Sequence, residues 1–263
     1  MYWRRHQLTF LLSCALVLLF ITACDQGARV GDLQTRTETI ELGDADSVNV
    51  EIRMGAGELQ VSGGADDLLE ATFTYNVEDL DPGATYSSGS LIVQDEDVKA
   101  GIRSLFDLDE YRNEWDLRFD EDVPMEMKIE TGAGRSVLEL GELTLTKLDI
   151  NSGAGDVDLD LSGSQSLVRF DYDMGAGDST FDLSGIWEKN LDVTINGGVG
   201  ELTMRLPSEV GVRIDIDAGI GSIDTSGLMK EGDIYTNAAY GESDIQLNIS
   251  ISAGIGQINL DVE

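Results

Sequence analysis

Histidine is nearly missing from this chain: 263 residues contain one, His6. Cysteine occurs twice, at Cys14 and Cys24, and proline three times. Positive charge is scarce, with 17 Lys and Arg against 50 Asp and Glu and a formal net charge of −33. That balance removes the electrostatic footprint needed on nucleic-acid phosphates or on an anionic bilayer, so no nucleic-acid partner is expected. A hydrophobic content of 41% with so little proline excludes a disordered tail and a polyproline spacer. The one extended apolar run, Leu8 to Ile21, has 14 residues, short of the roughly 20 that a membrane-spanning helix needs.

Arg4 and Arg5 precede that run, which makes residues 1–23 read as an export signal. The four residues that follow the run's core, Ile21-Thr22-Ala23-Cys24, resemble a bacterial lipoprotein signal, the lipobox. The resemblance implies cleavage before Cys24, acylation of its sulfur, and an extracytoplasmic protein anchored by lipid to a membrane of the bacterial cell envelope. An ordinary signal peptide with an incidental cysteine is the alternative. Several acyl chains on one residue anchor stably, whereas a single chain holds only marginally.

Cleavage would also change the available chemistry. The remaining 240 residues carry 15 basic and 50 acidic side chains, a formal −35; His6 and Cys14 leave with the signal, and Cys24 is consumed by lipid. Nucleophilic catalysis by a Ser-His-Asp or Cys-His pair, and zinc sites built from imidazole or thiolate, are excluded by composition. No catalytic, cofactor-binding or metal-ligating residue is assigned, and the expectation is a protein that is not an enzyme.

Glycine, in contrast, is abundant, and it recurs in pairs. Gly-x-Gly steps begin at Gly55, Gly132, Gly153, Gly175, Gly198, Gly219 and Gly254, with intervals of 21, 22, 23 and 21 residues from Gly132 to Gly219. Apolar and polar residues alternate around each step, as in Val157-Asp158-Leu159-Asp160-Leu161, which is strand periodicity. A period of about 22 residues accommodates two strands of roughly seven residues and two turns. The expected fold is therefore all-β, a repetitive β-solenoid of two-strand coils stacked about 4.8 Å apart. Val, Ile and Leu would point inward, and Asp158, Asp160, Thr203, Asp215 and Asp217 outward. Glycine would mark the corners, where neighbouring coils crowd the backbone. Antiparallel hairpins would give a similar period; the parallel coil is the preferred reading.

Residues 24–38 read as a polar tether, 39–130 as an amino-terminal β domain, and 131–263 as the regular array continuous with it. Strands are expected at Ser47 to Arg53, Glu58 to Ser62, Leu69 to Asn76, Ser90 to Gln94 and Trp115 to Phe119, with an acidic loop or short helix over 95–114. The longer interval between Gly219 and Gly254 would insert the strand Ser243 to Ser250 before a last hairpin.

The segments Val48 to Val61, Trp115 to Gly134, Ser152 to Val157 and Leu206 to Val212 together resemble the bacterial toast-rack domain proteins, which are related to the LiaF-type cell-wall-stress family and a wider adhesin-like group. The resemblance covers most of the chain after residue 24. It implies an all-β repetitive fold in an envelope protein and supplies no functional residues. The chain departs from LiaF-type proteins in lacking their amino-terminal membrane helices.

Gly153-Ala-Gly155-Asp-Val-Asp158 lacks the third glycine and following helix of a dinucleotide site, and Val157 stands where a calcium nonapeptide repeat needs aspartate. Stacked carboxylates would bind divalent cations weakly, or simply form a solvated acidic face. A glycan-active enzyme would need two carboxyls about 5 to 9.5 Å apart in a cleft, and so many acids single out no pair. Lys147, Arg169, Lys189, Arg205 and Arg213 are scattered along the chain. Tyr172, Trp187, Tyr235 and Tyr240 would offer a sugar-stacking surface if exposed, although packing is the commoner use of aromatics. The partners expected are a membrane, through Cys24, and an envelope glycan or a membrane protein. The function expected is presentation of an acidic binding, adhesion or structural surface; alternatives are a glycan-active enzyme and a sensor of envelope stress.

Overall fold

The computed structural model describes residues 30–77, 81–95 and 111–263, and these are all-β, without a helix. The export signal, Cys24 and most of the acidic stretch 95–114 lie outside the described residues. The strands are β1 (Val30–Ile40), β2 (Val48–Ser62), β3 (Leu69–Val77), β4 (Pro82–Ser87), β5 (Ser90–Asp95) and β6 (Asn113–Phe119), followed by β7 (Met125–Glu139) and β8 (Leu145–Asp160). Then come β9 (Arg169–Ala176), β10 (Ser179–Asp182), β11 (Leu191–Asn196), β12 (Val199–Leu206), β13 (Gly211–Ser226), β14 (Met229–Glu231), β15 (Ile234–Thr236) and β16 (Gln246–Val262).

Parallel pairing dominates. β2 lies in register on β7 and β7 on β8, so that Ile52, Ile129 and Ile150 form one column. Above β8 the first half of the next rung is β9 and the second half β10; the rung after that is β11 followed by β12. β16 pairs with both β11 and β12, and β13 pairs with β16 along almost its whole length. The six strands β8, β10, β12, β16, β11 and β9 thus close a ring of parallel pairings. The ring arises because β8 and β16 pass through the corner unbroken while the two rungs between them are each interrupted there.

The columns explain the core. Inward positions of the first arm are Val50, Met127, Leu148, Phe170, Val193, Ile249 and Ile214, and those of the second arm include Leu138, Leu159, Phe181, Met204 and Leu260; all are buried. Each such side chain contributes about 1.5–3 kcal/mol through removal of apolar area from water. Turns close each rung over the same interior, as where Leu143 N–H donates to the Leu140 carbonyl at 3.2 Å with both side chains buried. Phe181 packs edge-on against Phe170 and Tyr172 at centroid distances of 5.6 and 4.9 Å. At the first end, β5 and β6 continue the two arms beneath β2, and β3 and β1 then add antiparallel strands outside β6.

Four expectations need correction. Residues 30–38 of the tether belong to strand β1, paired with β3, while 24–29 lie outside the described residues. The boundary at 130/131 falls inside β7 and divides nothing. The two strands expected per coil are one continuous strand in β2, β7, β8, β13 and β16, and in four of them the second corner glycine, Gly57, Gly134, Gly155 or Gly256, takes a positive φ that turns the chain without breaking the ladder. The strand expected from Ser243 to Ser250 before a last hairpin is instead the start of β16, which runs unbroken from Gln246 to Val262 and slots between β12 and β13, so that the rungs do not follow chain order. The loop or short helix expected over 95–114 falls largely on residues 96–110, which lie outside the described ones.

Candidate binding surfaces along the glycine ladder

Two columns of glycine run up the corner. A Cβ on Gly132 would overlap the Gly55 carbonyl oxygen, one on Gly153 that of Gly132, and the same overlap repeats through Gly175, Gly198, Gly254 and Gly219. The second glycine of each step stacks likewise, and Gly134, at φ +129°, also has a backbone that L side chains rarely adopt. Backbone contact is therefore what the Gly-x-Gly steps encode. The residues between the glycines form a third column, Ala56, Ala133, Ala154, Ala176, Val199, Ile255 and Ile220 in spatial order.

Beside the first glycine column runs an open groove of about 660 Å³ from Gly55 to Gly175. Arg53, Glu130, Asn151 and Asp173, one from each of four successive rungs, line it with Met54 and Met174. Arg53 is ion-paired with Glu51 at 2.6 Å and Glu130 at 3.4 Å, and Lys128 with Glu130 at 2.6 Å. The Lys128 hydrogen bond, outweighing partial burial and helped by Arg53, holds the Glu130 carboxyl below its usual range. These pairs are partly exposed and orient the surface more than they stabilise it.

The second arm presents a more acidic face. Asp156 accepts the Asp178 N–H at 3.2 Å, and Asp178 accepts the Glu201 N–H at 3.0 Å, so each carboxylate caps the rung above. These donors relieve the repulsion of carboxylates stacked on neighbouring strands. Among the described residues no three acidic side chains converge in a way that could hold a metal ion.

Where the ladder begins, β5 stops and the corner of β2 is met by side chains instead of another corner. Asp95, 2% exposed, faces Gly55, whose N–H lies 3.5 Å from Oδ2, and Oδ1 has no hydrogen-bond partner among the described residues. Burial pushes its carboxyl up to about 6, only partly offset by the Gly55 N–H. Tyr111 Oη and Asn113 Nδ2 both donate to the Ala56 carbonyl at 2.8 Å, and burial pushes the Tyr111 hydroxyl up to about 12. This cap was not legible in the sequence, where Asp95 begins an irregular acidic stretch.

Asp160, Asp215 and Asp217 are exposed and Asp158 and Thr203 half-buried, so all five avoid the core as expected. Tyr172, Trp187 and Tyr235 are buried and only Tyr240 is exposed, which leaves no shared sugar-stacking surface among them. Lys147 and Arg169, separate in sequence, are register neighbours on the first arm. Cys24 lies outside the described residues.

A stack of parallel strands in register, turned at glycine corners, defines an all-β protein. The chain belongs to the toast-rack family: residues 29–168 match the N-terminal domain of toast_rack, DUF2154. Residues 165–260 match the C-terminal region of LiaF, described as a cell wall-active antibiotics response protein. A crystal structure from Clostridium sporogenes, described as a candidate cell adhesion protein, is 29% identical and superposes with a TM-score of 0.67 over 88% of this chain and all of that one. A candidate adhesin from Bacteroides fragilis is 15% identical with a TM-score of 0.42, covering 87% of this chain and 97% of that one. No curated protein matches the chain.

Proposed function

We propose that the chain is a non-catalytic protein of the bacterial cell envelope, held at the extracytoplasmic side of a membrane by lipid on Cys24, whose acidic β-solenoid is a binding surface. The observation that carries this reading is repetition: Arg53, Glu130, Asn151 and Asp173 stand on successive rungs beside one open groove. Side chains repeated about every 4.8 Å suit a polymer that is itself repetitive, such as an envelope glycan. Membership of the toast-rack family and likeness to a candidate cell adhesion protein support the placement. The LiaF match over 165–260 favours a second reading, a stress sensor that acts through a membrane protein.

Pull-down of the protein on peptidoglycan and acidic polysaccharides, with analysis of the products, separates these readings. Retention without new ends supports the binding surface; new reducing ends or unsaturated uronates would make it a glycan-active enzyme. Absence of retention together with in-cell crosslinking to a histidine kinase would favour the sensor. Metabolic labelling with a palmitate analogue should mark the wild type and not Cys24→Ala, and equal labelling would remove the anchor.

A further inference from the structure

The two halves of β13, the last rung in space, finish differently. Over the first half β15 pairs antiparallel with Arg213–Asp215, and the Ile216 N–H donates to the Asp233 carbonyl at 3.1 Å. Over the second half, Ile220–Ser226, no strand pairs with the outer edge among the described residues. In lower rungs each inward-facing residue turns its N–H to the rung above, as Val157 does to the Asp178 carbonyl at 3.0 Å and Leu183 to that of Arg205 at 2.9 Å. Ile223 and Thr225 align with the buried Ile258 and Leu260, which makes them inward positions whose N–H groups face the open edge. Ile223 is only half-buried and Thr225 is exposed, so the core as well as the ladder stops unfinished here.

Unpaired edges are templates for another strand unless they are protected, commonly by charge. β1, the edge strand at the opposite end, carries Asp32, Arg36 and Glu38. The Ile220–Ser226 edge carries Asp224 alone, and Ile220 beside it is 73% exposed. Charge selects what can approach. Residues 214–263 contain nine Asp and Glu against the single basic residue Lys230, which lies over the Tyr235 ring at 4.9 Å. Asp224 and Asp261 are exposed on the outer side of this last sheet.

We propose that the outer edge of Ile220–Ser226 receives an extended basic segment of a partner protein as an added strand. Its alternate apolar side chains cover Ile223 and complete the interior. Its basic side chains, on the other face, meet Asp224 and Asp261. A second copy of this chain is opposed by the repulsion of −33 against −33. The proposal depends on neither the lipid anchor nor a glycan ligand.

The test is fluorescence anisotropy of a labelled ten-residue peptide of alternating lysine and valine, titrated with the full-length protein. Saturable binding is expected, about tenfold weaker when NaCl rises from about 50 to about 500 mM. Thr225→Pro, which removes an edge donor, and Asp224→Lys, at an exposed position, should each weaken it about tenfold, with circular dichroism reporting that the fold is kept. A glutamate-for-lysine peptide should not bind. Equal binding of a peptide N-methylated at alternate residues, equal binding by a folded Asp224→Lys protein, or no saturable binding would overturn the proposal. So would sedimentation showing that the protein alone forms dimers or polymers that Thr225→Pro disperses, since its own copy would then hold the edge.

Discussion

A side chain on Gly134 would occupy the place of the Gly57 carbonyl oxygen in the rung beneath it. The two residues are far apart in sequence yet paired in register, Gly57 on Gly134, with Gly155 above. Gly134 also holds φ at +129°.

Gly134→Ala therefore meets both overlap and strain. It should lower unfolding free energy by about 3–5 kcal/mol, read from urea titration monitored by circular dichroism. Ala133→Ser, between the two glycines on the outer corner, should change it by no more than about 0.5 kcal/mol. Equal effects of the two would mean that the glycine columns are not in contact.

Much of this architecture is written in plain view because glycine alone tolerates such contact, and so its spacing reports the rung length. Val157 to Leu161 alternates because one arm face is buried and the other wet. β1 escaped notice for the opposite reason: nearly every residue of Val30–Ile40 is exposed, which leaves no alternation to read. The placement of β16 was equally hidden. Its inward residues Leu247, Ile249 and Ile251 have the same shape and spacing as those of β11 and β13, and nothing in such a pattern states which rung lies on which. Lys147 and Arg169 met only through register, and Asp95 acquired its environment from the end of the ladder, which no local motif announces.

Asp95 makes stability depend on pH with a defined sign. Its folded pKa of about 6 lies above the ordinary 3.8 of an exposed aspartate, so between those values the folded state binds the extra proton. Its contribution is most favourable below pH 4 and is lost as pH rises through 6. Asp95→Asn keeps the shape and an acceptor for the Gly55 N–H while abolishing the titration. The variant should be more stable than wild type by roughly 2–3 kcal/mol at pH 8, with the gap closing toward pH 4. Paired urea titrations across that range measure it, and a gap independent of pH would show that the carboxyl does not titrate there.

The order of the last rungs, β12, β16 and β13, is the claim on which the open edge of β13 rests, and oxidative crosslinking tests it directly. In a chain with Cys14 and Cys24 replaced by serine, cysteines are introduced in pairs at Val199, Ile220 and Ile255, whose side chains lie on the exposed corner. Register neighbours on adjacent rungs stand about 4.8 Å apart, within disulfide reach, and residues two rungs apart about 10 Å, beyond it. The pairs 199–255 and 220–255 should crosslink rapidly within one chain and 199–220 should not. Rapid crosslinking of 199–220 with failure of 199–255 would mean that the rungs follow chain order, which would contradict the architecture.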